Sequence, residues 1–229
     1  MLLVHTSGRD VVKALGRSTA VLVCGLTLAS CTSGEPAAKS EKPCGISPSS
    51  QEGVLLRGVL RAEGFETLVY NSTSEVAATL RRSLPETSPD KRTSPKSTCA
   101  LWAAGQNGGD RVTFSFGWIS RASKEVEHPL PNGVPFEADG GAFGQANDTD
   151  TNLYVACQMP AELGEPSKTA WFHAKASHNV SPPRSDIDPA VRDQQTALTY
   201  LMARRVTDAL RCENKPLEKP PVVKPLSTP

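Results

Sequence analysis

TCALWAAGQNGGDRVTFSFGWIS, residues 98–120, is the stretch from which the fold class follows. Two runs rich in apolar and β-branched residues, Thr98 to Ala104 and Arg111 to Ser120, flank a Gly- and Asn-rich segment typical of a hairpin turn. In the second run, large apolar residues occupy every other position: Val112, Phe114, Phe116 and Trp118. This alternation is typical of a strand with one buried face. The sequence therefore predicts an antiparallel hairpin packed on a hydrophobic core.

Segments on either side of this hairpin add strands and helices. Strand patterns occur over Phe65 to Tyr70, Asn152 to Gln158 and Thr169 to His178. Ser-Thr-Ser-Glu at 72–75 has the spacing of a capping box before an apolar helical pattern. Asp188-Pro189 is a favourable helix start before a long apolar stripe.

A further helix is expected over Ser49 to Ala62, with Glu52 in the capping position, although Gly53 and Gly58 weaken it. Strands and helices in this order indicate an α+β domain. We expect an antiparallel sheet of about five or more strands with two or three helices packed on it.

Composition and charge exclude several classes of protein. The 229 residues include 25 Lys and Arg against 24 Asp and Glu, a formal net charge of +1. The chain therefore has no basic footprint for nucleic acid. It contains no apolar stretch of about 18 residues, which does not support a polytopic membrane protein.

Residues 1–30 have the layout of a secretory signal peptide. Arg9, Lys13 and Arg17 precede an apolar run, and small residues precede Cys31. The apolar run is about 11 residues long, roughly half of what a membrane-spanning helix needs. We therefore expect cleavage between Ser30 and Cys31 rather than a retained anchor.

The tetrapeptide Leu28-Ala29-Ser30-Cys31 looks like a bacterial lipobox. In such a motif the cysteine thiol receives a diacylglyceryl group, and the cysteine becomes the first residue of the mature chain. Two acyl chains are sufficient for stable attachment to a membrane. The alternative is an ordinary signal peptide that happens to contain a cysteine. The sequence predicts lipidation of Cys31 and a location on the outer face of the cytoplasmic membrane.

The rest of the chain divides into a tether, one domain and a tail. Residues 31–43 contain no large apolar residue and are predicted to be a flexible tether. All aromatic residues lie between Phe65 and Tyr200, which places a single extracytoplasmic domain over 44–212. Residues 213–229 contain five prolines and no aromatic residue. They are predicted to be a disordered tail, with a proline-rich ligand for a partner domain as the alternative.

Four cysteines of the predicted domain, Cys44, Cys99, Cys157 and Cys212, argue for two disulfides in an exported chain. A zinc site is the competing use, but the sequence has no Cys-x-x-Cys pair. Three pairings are possible. We favour Cys44–Cys99 with Cys157–Cys212, because each bond would join a helical segment to a neighbouring strand.

Neither a metal site nor a catalytic motif is predicted. Asp148-Thr149-Asp150 resembles the opening of a calcium loop, but Leu153 replaces the required glycine, so we interpret it as a polar turn. His173 and His178 are five residues apart on a predicted strand and are expected on opposite faces, which disfavours a shared metal. His128 is interpreted as an ordinary surface histidine. The sequence shows no motif for nucleophilic, zinc-dependent, phosphate-binding or dinucleotide chemistry and therefore indicates no cofactor.

The region from Ala122 to Asp148 has no regular pattern. It contains prolines, glycines and the apolar residues Leu130, Val134, Phe136 and Phe143. Loops this long are often functional, and we suggest that it covers part of the sheet and shapes a binding surface. The alternative is a glycine-rich connection between sheet edges.

Several of these features occur together. They are the lipobox Cys31, Cys44-Gly45, the turn Gly141-Ala142-Phe143-Gly144 before Tyr154-Val155-Ala156-Cys157, and a helix ending at Cys212-Glu213-Asn214. The combination resembles uncharacterised lipoproteins of streptomycetes. The resemblance implies an extracytoplasmic, lipid-anchored protein and implies no particular activity.

The sequence thus predicts a lipid-anchored, non-enzymatic binding or accessory protein of the cell envelope. Its partner would be an envelope protein, a wall component or a small ligand. The first alternative is an envelope hydrolase whose active site is assembled only by the fold. That alternative requires a pocket with a hydroxyl or carboxylate beside His128, His173 or His178. A purely structural envelope protein, without a pocket, is the second alternative.

Overall fold

The structure is a computed structural model that describes residues 44–91, 93–106, 109–126, 130–138, 140–180, 188–221 and 223–225. The predicted signal peptide (1–30) and tether (31–43) lie outside the described residues, together with Ser30, Cys31 and His128. Cleavage and lipidation therefore stay predictions.

The described residues contain one eight-stranded sheet in which all neighbouring strands are antiparallel. In chain order its strands are Phe65–Val69 (β1), Lys96–Ala103 (β2), Arg111–Ser120 (β3), Val134–Ala138 (β4), Ala142–Ala146 (β5), Asp150–Val155 (β6), Ala170–Asn179 (β7) and Val223–Pro225 (β8). Across the sheet the order is β1-β2-β3-β7-β6-β5-β4-β8. The five predicted strands correspond to β1, β2, β3, β6 and β7.

Four α-helices are described: Gln51–Leu60 (α1), Thr73–Ser83 (α2), Gly164–Lys168 (α3) and Pro189–Leu210 (α4). The predicted capping box of α2 is present, because the Ser72 side chain accepts from the Glu75 backbone and the Glu75 carboxylate accepts from the Ser72 backbone. Asp188 caps α4 as predicted.

Helix α1 begins differently from the prediction. Its N-cap is Ser50, whose side chain accepts from the Gly53 N–H. The expected capping position of Glu52 is therefore wrong. Glu52 instead accepts a hydrogen bond of 2.7 Å from Arg205 of α4 and joins the two helices.

Helices α1, α2 and α4 cover one face of the sheet and enclose the core. The alternating apolar residues predicted for β3 all point into it and are buried. Phe116 stacks on Phe172 of β7, and the Trp118 indole N–H donates to the Leu80 carbonyl of α2 over 2.8 Å. The predicted α+β class is confirmed.

Two disulfides, Cys44–Cys99 and Cys157–Cys212, have the predicted pairing, with Cα atoms 6.2 and 5.1 Å apart. The first joins the segment before α1 to β2. The second joins the residues after β6 to the end of α4. Each bond therefore connects the helical layer to the sheet.

The region from 122 to 148 is more regular than its sequence indicates. It contains the β4–β5 hairpin. The strand signal of β5 is weak, because its core-facing residues are Ala142, Gly144 and Ala146 rather than large apolar residues. Gly144 is required there, since a Cβ atom would lie 2.0 Å from the Asn152 carbonyl oxygen.

The tail also differs from its prediction. Leu217 is fully buried, and Val223–Pro225 pairs with β4 as β8. The Asn214 amide side chain accepts from the Gln158 N–H and donates to the Ala156 carbonyl. The prediction of a disordered tail over 213–229 is therefore wrong for 213–221 and 223–225. Proline-rich composition does not prevent one leucine and a short strand from packing on a domain that is already folded.

Candidate binding face

The sheet face opposite the helices, called here the open face, has a polar centre. Lys175 lies 3.1 Å from the Asp150 carboxylate, and the Ser177 hydroxyl donates to the same oxygen over 2.8 Å. Burial alone would raise the pKa of Asp150. The hydrogen bond from Ser177 and the adjacent Lys175 ammonium outweigh that effect, so the pKa lies below its ordinary value. Asp150 is therefore held as a carboxylate.

Aromatic rings on the β5–β6–β7 side of the open face pack against one another. Phe143 contacts Tyr154 and Trp171, with ring centroids 5.4 and 5.1 Å apart, and the Arg121 guanidinium lies 4.1 Å from the Trp171 ring centre. Tyr154 also stacks on His173. Much of the surface of these rings is therefore covered by neighbouring rings.

Part of the region 122–148 lies on this side of the open face. The Leu130 N–H donates to the Gln145 side chain of β5, and the Asn147 side chain donates to the Pro131 carbonyl. Both contacts join residues of the region itself, which supplies strands β4 and β5, so they do not show that the region covers other strands of the sheet.

The opposite end of the open face carries the largest of three pockets described, called here the aromatic pocket. Its volume is about 390 Å³. It is lined by β1, β2, β3 and the turn between β2 and β3, through Glu66, Leu68, Tyr70, Trp102, Gln106, Gly109 and Arg111. Sheet register brings three of these together, because Glu66 lies opposite Trp102 and Trp102 lies opposite Arg111.

Hydrogen bonds position the charged groups of the aromatic pocket. The Trp102 indole N–H and the Gly105 backbone N–H donate to the two oxygens of Glu66, over 3.2 and 3.1 Å. The Arg111 guanidinium donates to the Tyr70 hydroxyl. A guanidinium has five N–H donors, so it can bind a ligand while it keeps this contact. Apolar surface with a few convergent polar groups is typical of ligand sites.

The two described histidines lie on opposite faces of the sheet, as predicted. His173 is on the open face, 3.1 Å from the Asn152 side chain. His178 is buried on the helix side, with Nε2 3.7 Å from a carboxylate oxygen of the buried Asp110. Neither histidine lines any of the three described pockets.

The predicted polar turn before β6 is present, with the Asn147 side chain accepting from the Thr149 and Asp150 backbones. Within the described ranges, no group of three or more His, Cys, Asp or Glu residues is placed to hold a metal ion. No helix in this part of the chain is both long and apolar enough to cross a membrane.

Sequence reasoning missed the aromatic pocket. The predicted hairpin contains Trp102 and Arg111. They lie opposite each other once the alignment of β2 with β3 is known. Strand β1 supplies Glu66, the pocket's other charged residue. No sequence pattern indicates how β1 is aligned with β2. Comparisons with protein-family models, curated proteins and solved structures gave no match.

Proposed function

We propose that this chain is an exported, lipid-anchored binding protein of the bacterial cell envelope, and that its ligand binds in the aromatic pocket. The observation that carries the proposal is the pocket itself. It lies on the face that the helices leave uncovered, and it combines an indole, a phenol, a carboxylate and a guanidinium.

Two further features support an extracytoplasmic location. The signal-like N-terminus ends at Cys31 in a lipobox-like tetrapeptide. The paired cysteines of the domain are at disulfide distance, and such bonds persist in oxidising compartments. Cys31 would anchor the chain through two acyl groups, and the domain would then face away from the membrane.

The partner classes are an envelope protein, a wall component or a small ligand. The pocket chemistry favours a ligand with a flat apolar surface bordered by hydrogen-bonding groups. Trp102 and Leu68 would contact the apolar surface, while Glu66, Gln106 and Arg111 would bind the polar groups. The hydrolase alternative has less support, because neither described histidine lies in a described pocket.

Anchoring is tested by the intact mass of the protein extracted from its own membranes in mild detergent. We expect the mass of residues 31–229 plus acyl groups, minus four hydrogens for two disulfides. Extra mass that persists under native conditions would identify a small ligand. A chain that still begins at Met1 would contradict the proposal.

Ligand binding is tested by co-sedimentation with purified cell-wall sacculi. Trp102→Ala is expected to weaken binding by about tenfold or more, as removal of a central aromatic side chain does at other interfaces. Val54→Ala is the matched control, since Val54 is an exposed apolar residue of α1 outside the pocket. Equal sedimentation of the two variants and the parent would reject the pocket as the wall-binding site.

A further inference from the structure

Arg111 carries the one positive charge among the residues that line the aromatic pocket. Its side chain is exposed, and none of the ion pairs among the described residues involves it. The hydrogen bond that the guanidinium donates goes to the Tyr70 hydroxyl, which is uncharged. A guanidinium has five N–H donors, so most of them remain available to a ligand.

The pocket's own carboxylate does not neutralise this charge. The two oxygens of Glu66 accept from the Trp102 indole N–H and the Gly105 backbone N–H. Sheet register places Trp102 of β2 between Glu66 of β1 and Arg111 of β3. Neighbouring strands are about 4.8 Å apart, so the backbones of the two charged residues are about 10 Å apart. No lining residue therefore supplies a negative partner for Arg111.

The Tyr70 hydroxyl adds a second donor beside the guanidinium. Its oxygen accepts from Arg111, and a phenol that accepts one hydrogen bond can still donate its own proton. The contact crosses β2, since Tyr70 directly follows β1 and Arg111 begins β3. It holds both donors at one end of the pocket, where a single anion can accept from both.

The charge at this end of the pocket matches a carboxylate better than a phosphate. Phosphate sites usually combine several positive side chains, or use the N–H groups at the start of a helix. The aromatic pocket has one guanidinium, no lysine and no helix among its lining residues, and Glu66 would repel a multiply charged group. One guanidinium is sufficient for a carboxylate, because the two planar groups can form paired hydrogen bonds.

We propose that the aromatic pocket binds a carboxylate-bearing component of the cell wall, with the carboxylate on Arg111 and the Tyr70 hydroxyl. The apolar part of this ligand lies on Trp102 and Leu68, and a hydrogen-bond donor of the ligand reaches the remaining lone pairs of Glu66. The inference rests on the proposed function, because it names the chemistry of the ligand at the same site. Stem peptides and acidic sugars of the wall both carry such carboxylates.

The carboxylate is tested with sacculi whose carboxyl groups have been converted to amides by a water-soluble carbodiimide and ammonium chloride. Sacculi treated in the same way without the carbodiimide are the control. We expect amidation to weaken co-sedimentation of the parent protein by about tenfold or more, because it removes charge-assisted hydrogen bonds. Equal sedimentation with the two preparations would overturn the proposal.

Arg111→Gln tests whether the carboxylate binds at this guanidinium. The variant is expected to bind control sacculi about tenfold more weakly than the parent does. Amidation is expected to weaken it no further, because both changes remove the same contact. Arg82→Gln is the matched control, since Arg82 is an exposed arginine of α2 outside the pocket. An Arg111→Gln variant that binds like Arg82→Gln would overturn the proposal.

Digestion of the sacculi with an amidase that releases the stem peptides distinguishes the two sources of the carboxylate. If the stem peptide carries it, the released peptides compete with intact sacculi for the protein. If an acidic sugar carries it, the stripped glycan keeps its binding and the released peptides do not compete. Loss of binding to the stripped glycan without competition by the peptides would overturn the proposal.

Failure of this inference is distinguishable from failure of the proposed function. If Trp102→Ala weakens binding but neither amidation nor Arg111→Gln does, the carboxylate is rejected and the pocket remains the wall-binding site. If Trp102→Ala binds sacculi as the parent does, the pocket itself is rejected.

Discussion

The two edges of the sheet are built in different ways. The β8 edge is a three-residue strand that ends in Pro225, and the chain reaches it through Pro220 and Pro221. Short strands and prolines protect an edge from pairing with other chains. The β1 edge is longer, has no proline and exposes apolar side chains on both faces. The comparison indicates that the tail closes one edge, whereas no described strand pairs with the outer side of β1.

One disulfide lies near each edge. Cys44–Cys99 ends in β2, the neighbour of β1, and Cys157–Cys212 lies at the start of the tail that leads to β8. The chain between the cysteines has the same length in both pairs, a separation of 55 residues. Loop entropy alone would therefore stabilise both sides equally.

The largest expected effect is the loss of either disulfide. Replacing Cys44 and Cys99 by Ala, or Cys157 and Cys212 by Ala, is expected to lower the free energy of unfolding by about 4 kcal/mol, because each bond restricts a long loop of the unfolded chain. Urea denaturation measures both values. A loss below about 1 kcal/mol for either pair would contradict the loop-entropy explanation.

The next effect compares one leucine from each edge. Leu217→Ala, in the tail, is expected to lower the free energy of unfolding by about 3 kcal/mol, because Leu217 is fully buried in the core. Leu68→Ala is expected to lower it by less than about 0.5 kcal/mol, because Leu68 is half exposed. Urea denaturation of dilute protein compares the two. Equal losses would mean that the tail contributes no more stability than the open edge does.

A smaller effect compares two glycines in turns near the two edges. Gly140 and Gly105 both have positive φ, at 84° and 71°. A Cβ atom at Gly140 would lie 1.9 Å from the Pro216 carbonyl oxygen of the tail, whereas one at Gly105 would meet nothing within 4 Å. Gly140→Ala is therefore expected to lower the free energy of unfolding by about 1 to 3 kcal/mol more than Gly105→Ala does. Similar thermal shifts for both variants would show that the tail does not pack against this turn.

Acid is expected to have the smallest effect and to act on both edges alike. Burial would raise the pKa of Glu52, but a backbone hydrogen bond and the contact with Arg205 outweigh it and lower that pKa. The pKa of Asp150 is also lowered. These carboxylates stabilise the fold at pH values above their unfolded pKa values of 4.5 and 3.8. That stabilisation is lost as the pH falls through their lower pKa values in the folded state.

Asp150→Asn measures this contribution at a site far from either edge. We expect it to reduce the loss of stability between pH 7 and pH 3 by less than about 1 kcal/mol, because Asp150 is partly exposed. Thermal unfolding at both pH values provides the comparison. An unchanged pH dependence would show that the Lys175 and Ser177 contacts do not stabilise the charged form.

The sequence was most informative where large apolar side chains alternate or repeat. The pattern of β3, the cap of α2 and the start of α4 each follow from a few neighbouring residues. β5 was missed because small residues fill its core positions, and Gly144 is needed for close approach rather than for volume. The tail was misjudged because Leu217 packs on core residues that come together only in the folded domain.

The binding surface could be predicted less well than the fold. Trp102 and Arg111 belong to one predicted hairpin, but Glu66 and Tyr70 reach the same pocket through the pairing of a third strand. Strand β1 is an edge strand because of the strand order across the whole sheet. That order cannot be predicted from the pattern or the composition of the β1 segment.

Residue-resolved amide hydrogen exchange of the extracted protein tests the difference between the edges most directly. We predict that the Thr67 and Val69 amides exchange rapidly, because their N–H groups point away from β2. Slower exchange is predicted for the β4 amides, because β5 and β8 pair with that strand on its two sides. Equal protection of Thr67, Val69 and the β4 amides would contradict an open β1 edge and a closed β8 edge.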